Sequence, residues 1–140
     1  MTVYIDENMP MIFAEGFQKL QAPLIKKLSI PFPVNVKSIQ NEFGKGTNDD
    51  VWIPIIGGRD ACVVTKDTHL KSRKHEIELL REHQINMIYL KAPKRAEFTY
   101  WEMVELLVKN WPQVLNIIST HSRPFVIILN KGSVTPKIES

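Results

Sequence analysis

Carboxylates close the apolar runs of this 140-residue chain. Val3-Tyr4-Ile5 ends in Asp6 and Glu7, and Cys62-Val63-Val64-Thr65-Lys66 ends in Asp67. Asp49 and Asp50 stand at the start of a third segment carrying Val51, Trp52, Ile55 and Ile56. Acids at the carboxyl ends of buried parallel strands lie where open α/β sheets bind ligands. Carboxylates from three elements meeting at one edge would offer the hard oxygen donors that suit Mg²⁺ or Mn²⁺. Such cations lower the pKa of water and stabilise in-line displacement at phosphorus. Positive charge follows at once: Lys66, Lys71, Arg73 and Lys74 surround Asp67 in sequence, with His69 among them. Cations at a helix start oppose the macrodipole, which favours a phosphate-binding role for the cluster. Lys91, Lys94 and Arg95 form a second basic patch.

Each feature also has a plainer reading. Asp49 and Asp50 would stabilise a helix first turn. Asp6 could cap the next helix, Asp67 could make a turn, and the lysines could form a solvated face. Glu7 points away from Asp6 if the strand extends that far, and Glu42 lies in a loop, so both are reserve ligands.

Positioning these groups takes alternating strands and helices. Thr2 to Asp6 reads as a strand. A helix from Pro10 follows, its apolar face given by Ile12, Phe13, Phe17 and Leu20, with Asn8 as a cap and Pro23 breaking or restarting it. Val34 to Ile39 is the second strand. Thr47 or Asn48 caps a short helix that Pro54 bends and Gly57-Gly58 ends. Ala61 to Thr65 is an unbroken apolar run, as in a strand covered on both faces. Lys71 to His83 is a helix with Ile77 and Leu80 inward, and Ile85 to Leu90 is the fourth strand. Thr99 and Glu102 make a capping box for a long helix, kinked or broken at Pro112, with Trp101 and Trp111 in its core face. Phe125 to Leu129 is the fifth strand, and residues 131–140 read as a polar tail behind one domain over 1–130. The alternation predicts an α/β fold with a mainly parallel sheet of about five strands.

Composition narrows the class. Hydrophobic residues make up 44% and charged residues 24%, as in globular domains, not disordered ones. The net charge is +3, too small a surplus to matter except where it clusters. One cysteine, Cys62, excludes an internal disulfide and reads as a buried thiol. Neither a secretion signal nor a run approaching the ~20 residues of a membrane span is legible, so a cytoplasmic protein is expected. The four histidines and one cysteine lack zinc spacing. Gly44-Lys45-Gly46-Thr47 lacks the spacing of a phosphate-binding P-loop.

Three segments together resemble short PIN-like domain proteins: Ile5-Asp6-Glu7-Asn8-Met9-Pro10, Asp49-Asp50-Val51-Trp52 and Val63-Val64-Thr65-Lys66-Asp67. The resemblance implies a three-layer α/β/α PIN-type fold and a Mg²⁺- or Mn²⁺-dependent ribonuclease. It further implies the toxin component of a toxin–antitoxin pair, with RNA as substrate, a cognate antitoxin as partner and a homodimer as an option. It makes Asp6, Asp50 and Asp67 the metal ligands, with Asp49, Glu42 and Glu7 in reserve, and Thr65 the residue that orients the site. Lys66, Lys71, Arg73, Lys74 and His69 would contact RNA. Many relatives carry a second acid two residues after the Asp67 position, followed by an aromatic; here His69 and Leu70 stand there. A PIN-like module that binds nucleic acid or protein without full catalysis is the alternative. A phospho-acceptor receiver domain fits poorly, because the fourth and fifth strands do not end in Thr and Lys.

Overall fold

The computed structural model describes residues 1–6, 9–67, 72–92 and 98–137. The elements run β1 (Thr2–Ile5), α1 (Met11–Lys27), β2 (Asn35–Ser38), α2 (Ile39–Phe43), α3 (Asp49–Gly57), β3 (Ala61–Asp67), α4 (Ser72–Glu82), β4 (Asn86–Lys91), α5 (Tyr100–Thr120), β5 (Val126–Asn130) and β6 (Ser133–Lys137). One sheet has the order β2-β1-β3-β4-β5-β6. Every neighbouring pair is parallel except β5 with β6.

Strand alternation sorts side chains to two faces. Val3, Ile5, Cys62, Val64, Ile88 and Leu90 pack under α1 and α5. Tyr4, Ala61, Val63, Met87 and Tyr89 pack under α2, α3 and α4. The result is a three-layer α/β/α sandwich with a mainly parallel sheet: the alternation predicted the α/β fold and the parallel sheet, and the resemblance implied the three layers. After β2 the chain crosses over β1 to reach β3, so the strand order reverses between β1 and β3. That is the position at which open α/β sheets form their ligand crevice.

Several expectations change once tertiary partners are visible. The segment expected as a polar tail contains β6, which makes six strands instead of about five. Asn130 pairs with Ser133, so Lys131 and Gly132 alone form the turn, and Gly132 takes a φ of +88°. Pro23, Pro54 and Pro112 neither break nor restart their helices, since α1, α3 and α5 each run through one. All three prolines are exposed, as are Lys19, Asp50 and Val108 four residues before them. The carbonyls that lose an N–H partner can therefore bond water.

The buried stripe of α1 is Ala14, Phe17 and Gln21, while Ile12 and Leu20 face solvent. Trp111 is core, but Trp101 is 67% exposed and stacks on Tyr100, off the buried stripe of α5. Pro10 occupies the N-cap position of α1 without a side-chain cap; the expected cap, Asn8, lies outside the described residues. The capping box of α5 is present, with the Glu102 amide donating to Thr99 Oγ1 and the Thr99 amide to Glu102 Oε1. Asn48 caps α3, and Gly58 ends it.

Cys62 is wholly buried, and that burial pushes its thiol pKa up. A water-soluble disulfide reagent should leave the native protein unlabelled and modify one thiol per chain in denaturant. Labelling before unfolding would show that β3 is not the covered strand described.

Candidate active site

The site begins where β1 ends. Asp6 extends the pairing of β1 with β3, its amide donating to the Val64 carbonyl at 3.2 Å. Thr65 belongs to the face of Val63, under α3 and α4. Its Oγ1 donates to Asp6 Oδ2 at 2.9 Å. Asp6 is 8% exposed and Thr65 3%. A buried carboxylate is thus fixed by a neighbouring strand at the point where strand order reverses. The family resemblance implied that Thr65 orients the site, and its hydroxyl lies against Asp6.

Topology carries the second acid to the same edge. Gly57 ends α3 just before the amino end of β3, so α3 must start at the carboxyl edge of the sheet. Asp49 and Asp50 occupy its first turn, where acids suit the helix dipole. The structure separates their roles. Asp49 Oδ1 accepts from the indole Nε1 of buried Trp52 at 3.1 Å, locking the helix start to its own core. Asp50 instead turns to α4, with Oδ1 2.9 Å from His75 Nε2, while its amide donates to Asn48 Oδ1 at 2.9 Å. The Asp50 hydrogen bond, then its charge, raise the His75 pKa, and more distant Glu78 and Asp49 add to the effect.

Asp67 ends β3 two residues beyond Thr65, in register with Lys91 of β4. The Asp67 and Arg73 side chains lie outside the described set, as do Glu7, His69, Lys71, Lys94 and Arg95 altogether. Glu42 is held elsewhere: Arg59 Nη1 donates to Glu42 Oε1 at 3.1 Å and to the Tyr4 hydroxyl at 2.8 Å. Burial and Glu42 push the Tyr4 phenol up. Glu42 also lines a groove of about 770 Å³ along the open edge of β2, beside Met11, Lys37, Ser38 and Asn41.

Among the described residues no three His, Cys, Asp or Glu side chains gather closely enough to hold a metal ion. In kind, the donors fit a hard divalent cation, since Asp6 and Asp50 are carboxylates on the α3–α4 side of the carboxyl edge. Among the described residues no third such side chain gathers with them.

Of the basic candidates, Lys66 extends its ammonium over the Phe98 ring, 5.7 Å from the centroid, on the side of α1 and α5. It therefore stands across the sheet from Thr65. Lys74 is exposed and pairs loosely with Glu78, one turn on.

Two residues of α4 were not singled out from the sequence. His75 is one. The other is Glu76, only 5% exposed, a buried acid one turn nearer the carboxyl edge than Leu80. Its spacing was the available signal: Glu76 and Leu80 are i and i+4, so an inward Leu80 implies an inward Glu76.

Thr65→Val tests the first contact. A hydrogen bond to a charged group contributes ~1.5–3 kcal/mol, so urea unfolding should show a loss of that order. An unchanged midpoint at unchanged slope would mean the Thr65–Asp6 bond adds nothing.

Comparison with known proteins bears on this arrangement. A sequence model of the family described as "PIN like domain" matches residues 1–92, which include Asp6, Asp50, Thr65 and Asp67. Neither curated proteins nor solved structures return a match to the chain. PIN-like domains have a nuclease-type fold and are commonly nucleases. With a match over most of the chain and a three-layer α/β/α sheet beneath it, the chain belongs to the family of PIN-like domains.

Proposed function

We propose that this PIN-like domain is a Mg²⁺- or Mn²⁺-dependent endoribonuclease that hydrolyses RNA phosphodiesters. The observation that carries the reading is the buried Asp6–Thr65 pair at the switch point between β1 and β3. A divalent cation bound there would supply a Lewis acid and a water of lowered pKa. The chain's own part is placement. Thr65 holds the Asp6 carboxylate in one orientation, and Asp50 and Asp67 bring charge from α3 and β3. Water adds at phosphorus and the P–O3′ bond breaks, leaving a 5′-phosphate and a 3′-hydroxyl. Lys71, Arg73, Lys74 and His69 follow the Asp67 strand end in sequence and would meet the RNA backbone there with Lys91, while Lys66 would reach it from the α1–α5 side of the sheet. The family resemblance extends the reading to the toxin of a toxin–antitoxin pair, acting in the cytoplasm against a cognate antitoxin. No helix among the described residues is long and apolar enough to cross a membrane.

A second reading has its own support. His69 stands where many relatives carry an acid. On that reading the chain binds nucleic acid or protein without cutting. Cellular RNA incubated with the protein and Mn²⁺ should shorten into 5′-phosphorylated fragments, and EDTA should stop it. Intact RNA together with no saturable Mn²⁺ binding would decide for the binding module.

A further inference from the structure

Among the described residues His75 is the one imidazole set against a candidate ligand, and the contact spans two helices. We propose that His75 is a positioning residue that fixes the Asp50 carboxylate at the carboxyl edge, an inference that rests on the metal-dependent reading above. Asp50 is more than half exposed, so its side chain would sample several rotamers if nothing held it. Two contacts remove that freedom. Asn48 Oδ1 holds the Asp50 amide, and His75 Nε2 holds Oδ1, each at 2.9 Å. The second oxygen, Oδ2, has no protein partner among the described residues and is left for a cation.

The position of His75 gives the contact its reach. It lies in the first turn of α4, the helix that follows the Asp67 strand end. Asp50 lies in the first turn of α3, twenty-five residues earlier. The His75–Asp50 bond therefore ties the segment carrying one predicted ligand to the segment that follows another. Glu78, three residues on in the same helix, is the local partner an exposed histidine would be expected to take. The imidazole bonds the distant acid instead. Ligating carboxylates are commonly held by such outer partners, and losing one lowers metal affinity about 10–100-fold.

The test is a Mn²⁺ titration of the full chain without RNA, followed by electron paramagnetic resonance of free Mn²⁺. His75→Ala should weaken binding about tenfold or more. His75→Gln, which presents an amide nitrogen at similar reach, should recover most of the loss. In cleavage assays His75→Ala should need more Mn²⁺ for half-maximal rate yet approach the wild-type rate at saturation. A merely structural ion pair would lower the thermal midpoint and leave Mn²⁺ affinity alone. Equal or tighter binding by His75→Ala overturns the proposal, as does a wild-type protein that binds no Mn²⁺. Because the titration contains no RNA, wild-type Mn²⁺ binding without RNA cleavage would count against the ribonuclease reading only.

Discussion

Asp6→Asn is expected to reduce RNA cleavage by at least about a hundredfold while leaving the protein folded. Asparagine has the same shape and keeps an oxygen to accept from Thr65 Oγ1, and the amide of residue 6 still bonds the Val64 carbonyl. The substitution therefore removes the charge and turns one carboxylate oxygen into an amide donor while keeping these two contacts. Loss of an outer partner of a metal ligand already lowers affinity or activity 10–100-fold, so loss of a ligand's own charge should reach the top of that range or exceed it. Asp67→Asn should match it. If the two carboxylates serve one centre, the double variant should be scarcely worse than either single one, because residues that act as a unit are strongly non-additive. Rates of a fluorogenic RNA at saturating Mn²⁺ check this, with circular dichroism confirming the fold. Two effects that multiply fully would mean that Asp6 and Asp67 act at separate places. An Asp6→Asn protein as fast as wild type would remove the catalytic reading altogether.

What made this arrangement legible was local. Ala61 to Thr65 is apolar without interruption because β3 is covered on both faces, so its strand and its carboxyl end could be read directly. The Thr99–Glu102 box marks the start of α5 by side-chain spacing alone. The strand order that sets Asp6 beside Thr65 was not encoded in any single segment. It follows from β2 lying outside β1, which a pattern of strands and helices does not fix. Features decided by a distant partner were equally hidden. Leu20 reads as core by hydrophobicity, yet Gln21 takes the buried place because the Val34 carbonyl and Trp111 lie there to receive it. Asp49 and Asp50 are indistinguishable as sequence neighbours. The Trp52 indole and the His75 imidazole tell them apart. Residues 131–140 read as a tail on polarity, but an edge strand such as β6 needs little apolar content once β5 offers a ladder. Pro23 misled in the same way, since a helix tolerates proline where the freed carbonyl reaches water, and exposure is a tertiary property.

Trp111→Ala should be the most destabilising single substitution tested on this chain, at ~3–5 kcal/mol in urea unfolding. The residue is 1% exposed and meets Phe17 edge to face, with ring centroids 4.8 Å apart. Removing it opens a cavity between α5 and α1. It also strands a polar network. Trp111 Nε1 donates to Gln21 Oε1 at 2.9 Å, and Gln21 Nε2 donates to the Val34 carbonyl at 2.8 Å and to Gln18 Oε1 at 3.1 Å. Gln18 Oε1 in turn receives the Val36 amide at 2.6 Å. One indole on α5 thus braces two glutamines of α1 that occupy backbone groups of the edge strand β2, groups that would otherwise invite another strand. Trp111→Phe separates the two contributions. It keeps most of the volume and leaves the buried Gln21 oxygen without its donor, which costs about 1–3 kcal/mol. The difference between the two variants then measures the cavity. Trp111 lies beyond residue 92, where the family match stops, yet the face of the sheet under Val3 and Val64 is closed by it and its neighbours on α5. A chain ended at residue 92 should accordingly fail to show cooperative unfolding. If that truncated chain unfolded cooperatively, or if Trp111→Ala lost less than Trp111→Phe, α5 would not be the layer that completes this domain.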